Sequence, residues 1–122
     1  MPVSFNSLNL NLIKKVKLIY SDSTYSIKTL IVCNTFFSRL KGMLFSKENH
    51  KNAYLIIPCN SIHTFFMGYS IDVVFLNKSG DIVSQFNVDP FKTKSEKEAF
   101  AVLEGTRLLK SNNNIVQVVF LC

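Results

Sequence analysis

The chain has 122 residues, of which 48% are hydrophobic, with 11 phenylalanines, no tryptophan, 4 glycines and 3 prolines. That length and that apolar share are enough to bury one core, and they exclude a disordered or low-complexity chain. The formal charge of +6 admits an acidic partner, yet the basic residues are scattered.

The tightest basic groups are Lys14, Lys15 and Lys17, then Lys92, Lys94 and Lys97. Neither is a run of five or more like charges, so solvated faces of a basic protein are expected and nucleic-acid binding is disfavoured. The opening residues MPVSFNSLNLNLIKK show no basic leader followed by a continuous apolar segment. No apolar run reaches the roughly 18 residues of a membrane span. A single cytoplasmic domain over residues 1–122, without a membrane span, is therefore expected. Cys33, Cys59 and Cys122 are odd in number and form no C-x-x-C pair. That disfavours a disulfide framework or a structural zinc site. No cofactor is expected, and Cys122 reads as an exposed thiol.

Leu8, Leu10 and Leu12 alternate with asparagines, and the phase shifts through Val16, Leu18 and Tyr20. This predicts a strand over about 10–20, with a bulge. Ser21 to Thr24 is turn chemistry, and a second strand over about 25–32 completes a hairpin. Asn34 or Thr35 offers an N-cap. From there Phe36, Phe37, Leu40, Met43 and Leu44 recur at helical spacing, which predicts a helix over about 35–44. Residues 46–52 read as loop. Short strands are predicted at 53–57, 62–66 and 71–77, then 81–88 after the Asn77 to Gly80 turn. Residues 89–97 read as a surface loop. Strands at 100–104 and 115–121 follow, with 107–110 continuing the first of them past Gly105. Many short strands and one helix mean an all-β domain, a compact β-sandwich or small barrel.

The densest β-branched and aromatic run is Pro58 to Leu76, which also holds Cys59, His63, Met67 and Asp72. Several of its residues carry a resemblance to a known family. Cys33-Asn34-Thr35, Arg39 and Gly42-Met43-Leu44 resemble the opening motif of the domain of unknown function 192 family. Ile62 to Met67, Ile71 to Leu76 and Gly80 to Val83 are similar to that family's core, and Pro58-Cys59 to one of its branches. Val102-Leu103-Glu104 resembles its third motif. The resemblance covers about residues 26–121, preceded by the N-terminal strand. It implies a small β-sandwich or barrel with one short helix, and it implies no activity. This chain departs from the pattern at Gly68, at Gly105-Thr106-Arg107 and at Asn113-Asn114.

Three chemistries fit the central stretch. Cys59, His63 and Met67 are spaced by four, which on a helix stacks them about 6 Å apart, a soft set suited to Cu(I). On a strand the same step is roughly 13 Å, and the composition prefers strand. No metal is therefore assigned, and Cys59 and Met67 are expected in the core. His63 and Asp72 are a candidate acid–base pair. A two-residue turn at Met67-Gly68 sets them opposite each other. A turn at Gly68-Tyr69, favoured by glycine in first place, sets Asp72 opposite Phe65 instead. Cys59 with His63 is a candidate thiolate–imidazole pair.

Asp72 shares a strand face with Val74 and Leu76, and a buried carboxylate needs partners. Neighbouring backbone N–H groups, His63 and Arg39 are the candidates. On the structural reading Asp72 anchors a loop or the helix. On the functional reading Arg39, His63 and Asp72, with Glu104 if its strand lies alongside, line a polar cleft for a small anion or peptide carboxylate. The expected function is a non-enzymatic binding or accessory module for a small anion or a protein partner. The alternatives are a hydrolase using His63 with Asp72 or Cys59, and a basic nucleic-acid-binding domain.

Overall fold

The computed structural model describes residues 4–43 and 47–122, with the backbone alone at Phe36 and Leu40. The fold is all-β. Seven strands form one curled sheet in the order β6-β5-β8-β3-β2-β1-β9, and β4 and β7 form a separate ribbon.

Strands β1 (Lys15–Tyr20) and β2 (Tyr25–Cys33) make the expected antiparallel hairpin, with Val16 opposite Lys28. The first strand is shorter than predicted. Phe5–Ser7 is a 3-10 turn and residues 10–12 are a turn, so the asparagine-leucine alternation before Lys15 is not strand. Asn9 explains part of this, because its Oδ1 accepts from the Asn11 N–H at 3.1 Å and competes with extended pairing.

Helix α1 (Phe36–Lys41) is also shorter than the predicted 35–44. Thr35 is its N-cap: Thr35 Oγ1 accepts from the Ser38 N–H and Ser38 Oγ accepts from the Thr35 N–H, a capping box. Gly42 ends the helix at φ 48°, ψ −124°, a conformation open essentially to glycine alone. Phe37, expected on the apolar stripe, is 78% exposed, and Leu44 lies outside the described residues.

β3 (Asn52–Ile56) runs parallel to β2, with α1 in the crossover between them. The Ile57–Pro58 bond that follows is cis. β5 (Ile71–Leu76) pairs with β6 (Ile82–Val88) on one side and β8 (Ala101–Gly105) on the other. Every residue of β5 and β8 is buried. β9 (Ile115–Leu121) pairs with β1 at the far edge. Residues 107–110 do not extend β8; they form the loop after it.

The period of two divides the buried residues into two cores. Val16, Leu18, Leu55, Val74, Leu76 and Leu103 belong to the cluster inside the curl. Ile71, Val73, Phe75 and Val102 face the other way and pack with Met43, Ile62 and Met67. β4 (Ser61–His63) and β7 (Thr93–Ser95) pair antiparallel with each other. The second face of the sheet, the end of α1 and this ribbon enclose the candidate site.

Candidate functional site

A cavity of about 180 Å³ lies between these three elements. Its polar lining includes Arg39 and Lys41 from α1, Ser61 and His63 from β4, Cys59, and Glu104 from β8. Its apolar walls are Met43, Ile56, Ile62, Met67 and Ile71.

Strand parity places the acid. In β8, Ala101 and Leu103 point into the curl, so Val102 and Glu104 point to the other face. Glu104 stands opposite Tyr54 on β3 and Val73 on β5, in the middle of the sheet and only 5% exposed. No described residue gives its carboxyl a hydrogen bond or an ion pair. Burial raises its pKa to about 7, because the charged form has lost its water. Gly42 keeps the approach to it open, since a Cβ there would sit 3.7 Å from Glu104 Oε2 and 3.2 Å from Ile56 Cδ1.

Arg39 is half-buried on α1. Its charge and that of Glu104 both act on the Cys59 thiol. Burial is the largest effect and pushes that thiol up, Glu104 pushes it further, and Arg39 and a hydrogen bond to Ser61 pull it down. The thiol donates to the Ser61 carbonyl at 3.1 Å. Cys59 is thus held as a neutral thiol against the second core, not as an activated nucleophile.

His63 ends β4, is exposed, and stacks on Phe65 with ring centroids 5.2 Å apart. The strand predicted over 62–66 stops here. Buried Thr64 donates through Oγ1 to the Asp89 carbonyl at 2.6 Å and accepts from the Lys92 N–H at 2.9 Å. The chain then turns through Phe66 at φ 67°. This turn, and not helical stacking, is what brings Met67 back to the cavity that Cys59 and His63 also line. Among the described residues no three His, Cys, Asp or Glu side chains gather as a metal-binding group.

Asp72 does not line the cavity, which corrects its expected place in the cleft with Arg39 and His63. β4 pairs with β7 and not with β5, so neither predicted turn sets Asp72 opposite His63 or Phe65. Asp72 shares the inner face with Val74 and Leu76, as the alternation requires, and Glu104 lies on the opposite face. Both of its oxygens are occupied. Oδ2 accepts from the Leu108 and Leu109 N–H groups at 3.0 Å each, and Oδ1 accepts from Asn87 Nδ2 at 2.8 Å. Asp72 therefore anchors the loop after β8. Tyr20 OH donates to the Leu108 carbonyl at 2.6 Å, and His50 Nδ1 pairs with Thr106 Oγ1 at 2.8 Å on the same loop. Arg107 turns there at φ 56°, so this departure from the family pattern is firmly held.

The structure thus brings Arg39, His63, Glu104 and Cys59 around one cavity and leaves Asp72 out. Sequence reasoning missed Met43 and Gly42 as parts of the site. The signal for Gly42 was present, since a glycine directly after a capped helical stretch marks its end.

Comparison with known proteins agrees with this architecture. A structure from Sinorhizobium meliloti, carrying a provisional description as a transcription regulator, superposes with a TM-score of 0.71 at 16% identity, covering 88% of this chain and 92% of that one. A protein of unknown function from Novosphingobium aromaticivorans superposes with a TM-score of 0.70 at 15% identity, covering 97% and 91%. At such identities the likeness is one of fold. A UPF0127 protein of Thermococcus sibiricus is 33% identical over 66 residues, half of this chain and 43% of the relative, less than half of its length. The UPF0127 protein PH1112 of Pyrococcus horikoshii is 32% identical over 87 residues, 66% of this chain and 75% of the relative. Residues 18–117 match DUF192, described as an uncharacterized ACR. The chain belongs to this family.

Proposed function

We propose that this protein is a non-enzymatic binding module whose cavity beside α1 takes a small ligand. The observation that carries this reading is Glu104: a buried carboxyl with no partner among the described residues, lining a cavity together with Arg39 and His63. Buried polar groups are normally satisfied, and a ligand with matching groups would satisfy this one. The apolar walls add affinity, and the few polar groups set orientation.

The geometry gives catalysis less support. Asp72 is fully engaged with the loop after β8, and Cys59 is a neutral thiol bound to a carbonyl. The test uses the methionines. Met43 and Met67 line the cavity and are two of the chain's three methionines. Methyl NMR of methionine-labelled protein against a library of small polar fragments should find compounds that shift Met43 and Met67 together. Arg39→Gln should weaken the anionic ones among them. A full library that moves neither methyl would sink the reading.

A further inference from the structure

Arg39 and Glu104 carry opposite formal charges in one cavity, yet no described contact pairs them. Glu104 is more than nine-tenths buried, and the surface it keeps opens on the cavity. Gly42 leaves one of its oxygens uncovered. A simple anion would match Arg39 and meet an unfavourable neighbour in Glu104. A simple amine would match Glu104 and meet Arg39 and Lys41. A small ligand that carries both charges matches both. The cavity of about 180 Å³ lies below the roughly 300–1,000 Å³ of drug-sized ligand sites, which limits the occupant to a small molecule. The walls around it are aliphatic or thioether: Met43, Ile56, Ile62 and Met67.

We propose that the cavity binds a free aliphatic α-amino acid, with its ammonium group on Glu104, its carboxylate on Arg39 and its side chain against Met43, Ile62 and Met67. This rests on the binding-module reading above and names the ligand class for that site. Lys41 and His63, both exposed, also line the cavity and add basic groups that favour a ligand carrying a carboxylate. Glu104 gains the donor that the described residues do not supply.

The test is calorimetric titration of the full chain with L-leucine, 4-methylpentanoate and 3-methylbutylamine, the last two lacking the amine and the carboxylate respectively. L-leucine should bind, and each half-ligand should bind about ten-fold more weakly or worse, the cost of leaving Glu104 or Arg39 unmatched. Glu104→Gln should abolish the preference for leucine over 4-methylpentanoate. Arg39→Gln should abolish the preference over the amine. Thermal melting and the methionine methyl spectrum check that both variants are folded. Equal binding of either half-ligand to the wild type overturns the proposal, as does leucine binding indifferent to Glu104→Gln. Suppose none of the three probes binds while another fragment still shifts the Met43 and Met67 methyls. The amino-acid proposal then falls and the binding-module reading stands. If no fragment shifts them, both fall.

Discussion

Glu104 ties stability to pH in a direction opposite to most surface carboxylates. Its pKa is 4.5 as a free side chain and about 7 in the fold, raised by burial. Below 4.5 it is protonated in both states and makes no difference. Between 4.5 and 7 the folded protein holds a proton that the unfolded chain has released. Stability therefore falls as pH rises through that window, and the loss is complete above it. Arg39, Lys41 and His63 line the same cavity, and the Cys33 and Cys59 thiols feel the Glu104 charge, but none of these offsets the desolvation. At 1.36 kcal/mol per pKa unit the loss is on the order of 3 kcal/mol. Glu104→Gln keeps the shape and removes the charge. Urea unfolding at pH 4 and pH 8 should show the variant matching the wild type at the lower pH, below the window, and exceeding it at the higher by about that amount. Parallel behaviour of the two proteins would mean that Glu104 is solvated through the cavity.

At the scale of the element, the loop after β8 hangs on Asp72. Three hydrogen bonds reach that carboxylate, two of them from the Leu108 and Leu109 backbone. Asp72→Asn removes the charge that strengthens the Leu108 and Leu109 bonds and makes the Asn87 amide turn its oxygen round to keep the third. A loss of about 2–3 kcal/mol is expected, with faster amide exchange at Leu108 and Leu109 and unchanged Met43 and Met67 methyl signals. An unchanged exchange pattern would deny Asp72 its anchoring role. Asp72 also marks how far the sequence could be read. Its face followed directly from alternation with Val74 and Leu76. Its partner did not, because that depends on which strand lies beside β5, and Thr64 sends the chain after His63 to the 89–92 loop instead. β1–β2, β5–β6 and β9 were legible because their apolar residues alternate or run continuously. β7, Thr-Lys-Ser and exposed throughout, carries no such signal and sits in what reads as plain loop. Arg39, His63, Glu104 and Cys59 were legible as candidates. Their meeting depends on the β3–β8–β5 order, which no local pattern encodes.

At the scale of the molecule, the curl must be held at its two edges, β6 and β9. Gln85 on β6 bridges them with one side-chain amide. Its Nε2 donates to the Ile115 carbonyl and its Oε1 accepts from the Ile115 N–H, each at 2.9 Å. The side chain thus does for Ile115 what a neighbouring strand would do, and it covers part of an edge that would otherwise be free to pair elsewhere. Gln85→Ala leaves both backbone groups of a buried residue unmatched, a cost of about 1–3 kcal/mol. The damage should be local: the Ile115 amide should exchange faster, while Val119 and Leu121, on the stretch of β9 that runs along Lys15 and Lys17 of β1, should not. The cavity lies on the opposite face of the sheet, and its residues share no hydrogen bond with Gln85 or Ile115. Substitutions at Gln85 and at Glu104 should therefore combine additively, to within about 0.5 kcal/mol. A double variant whose stability departs further from the sum would mean that closure of the curl and the shape of the cavity are coupled through β5 and β8, the strands that present one face to each.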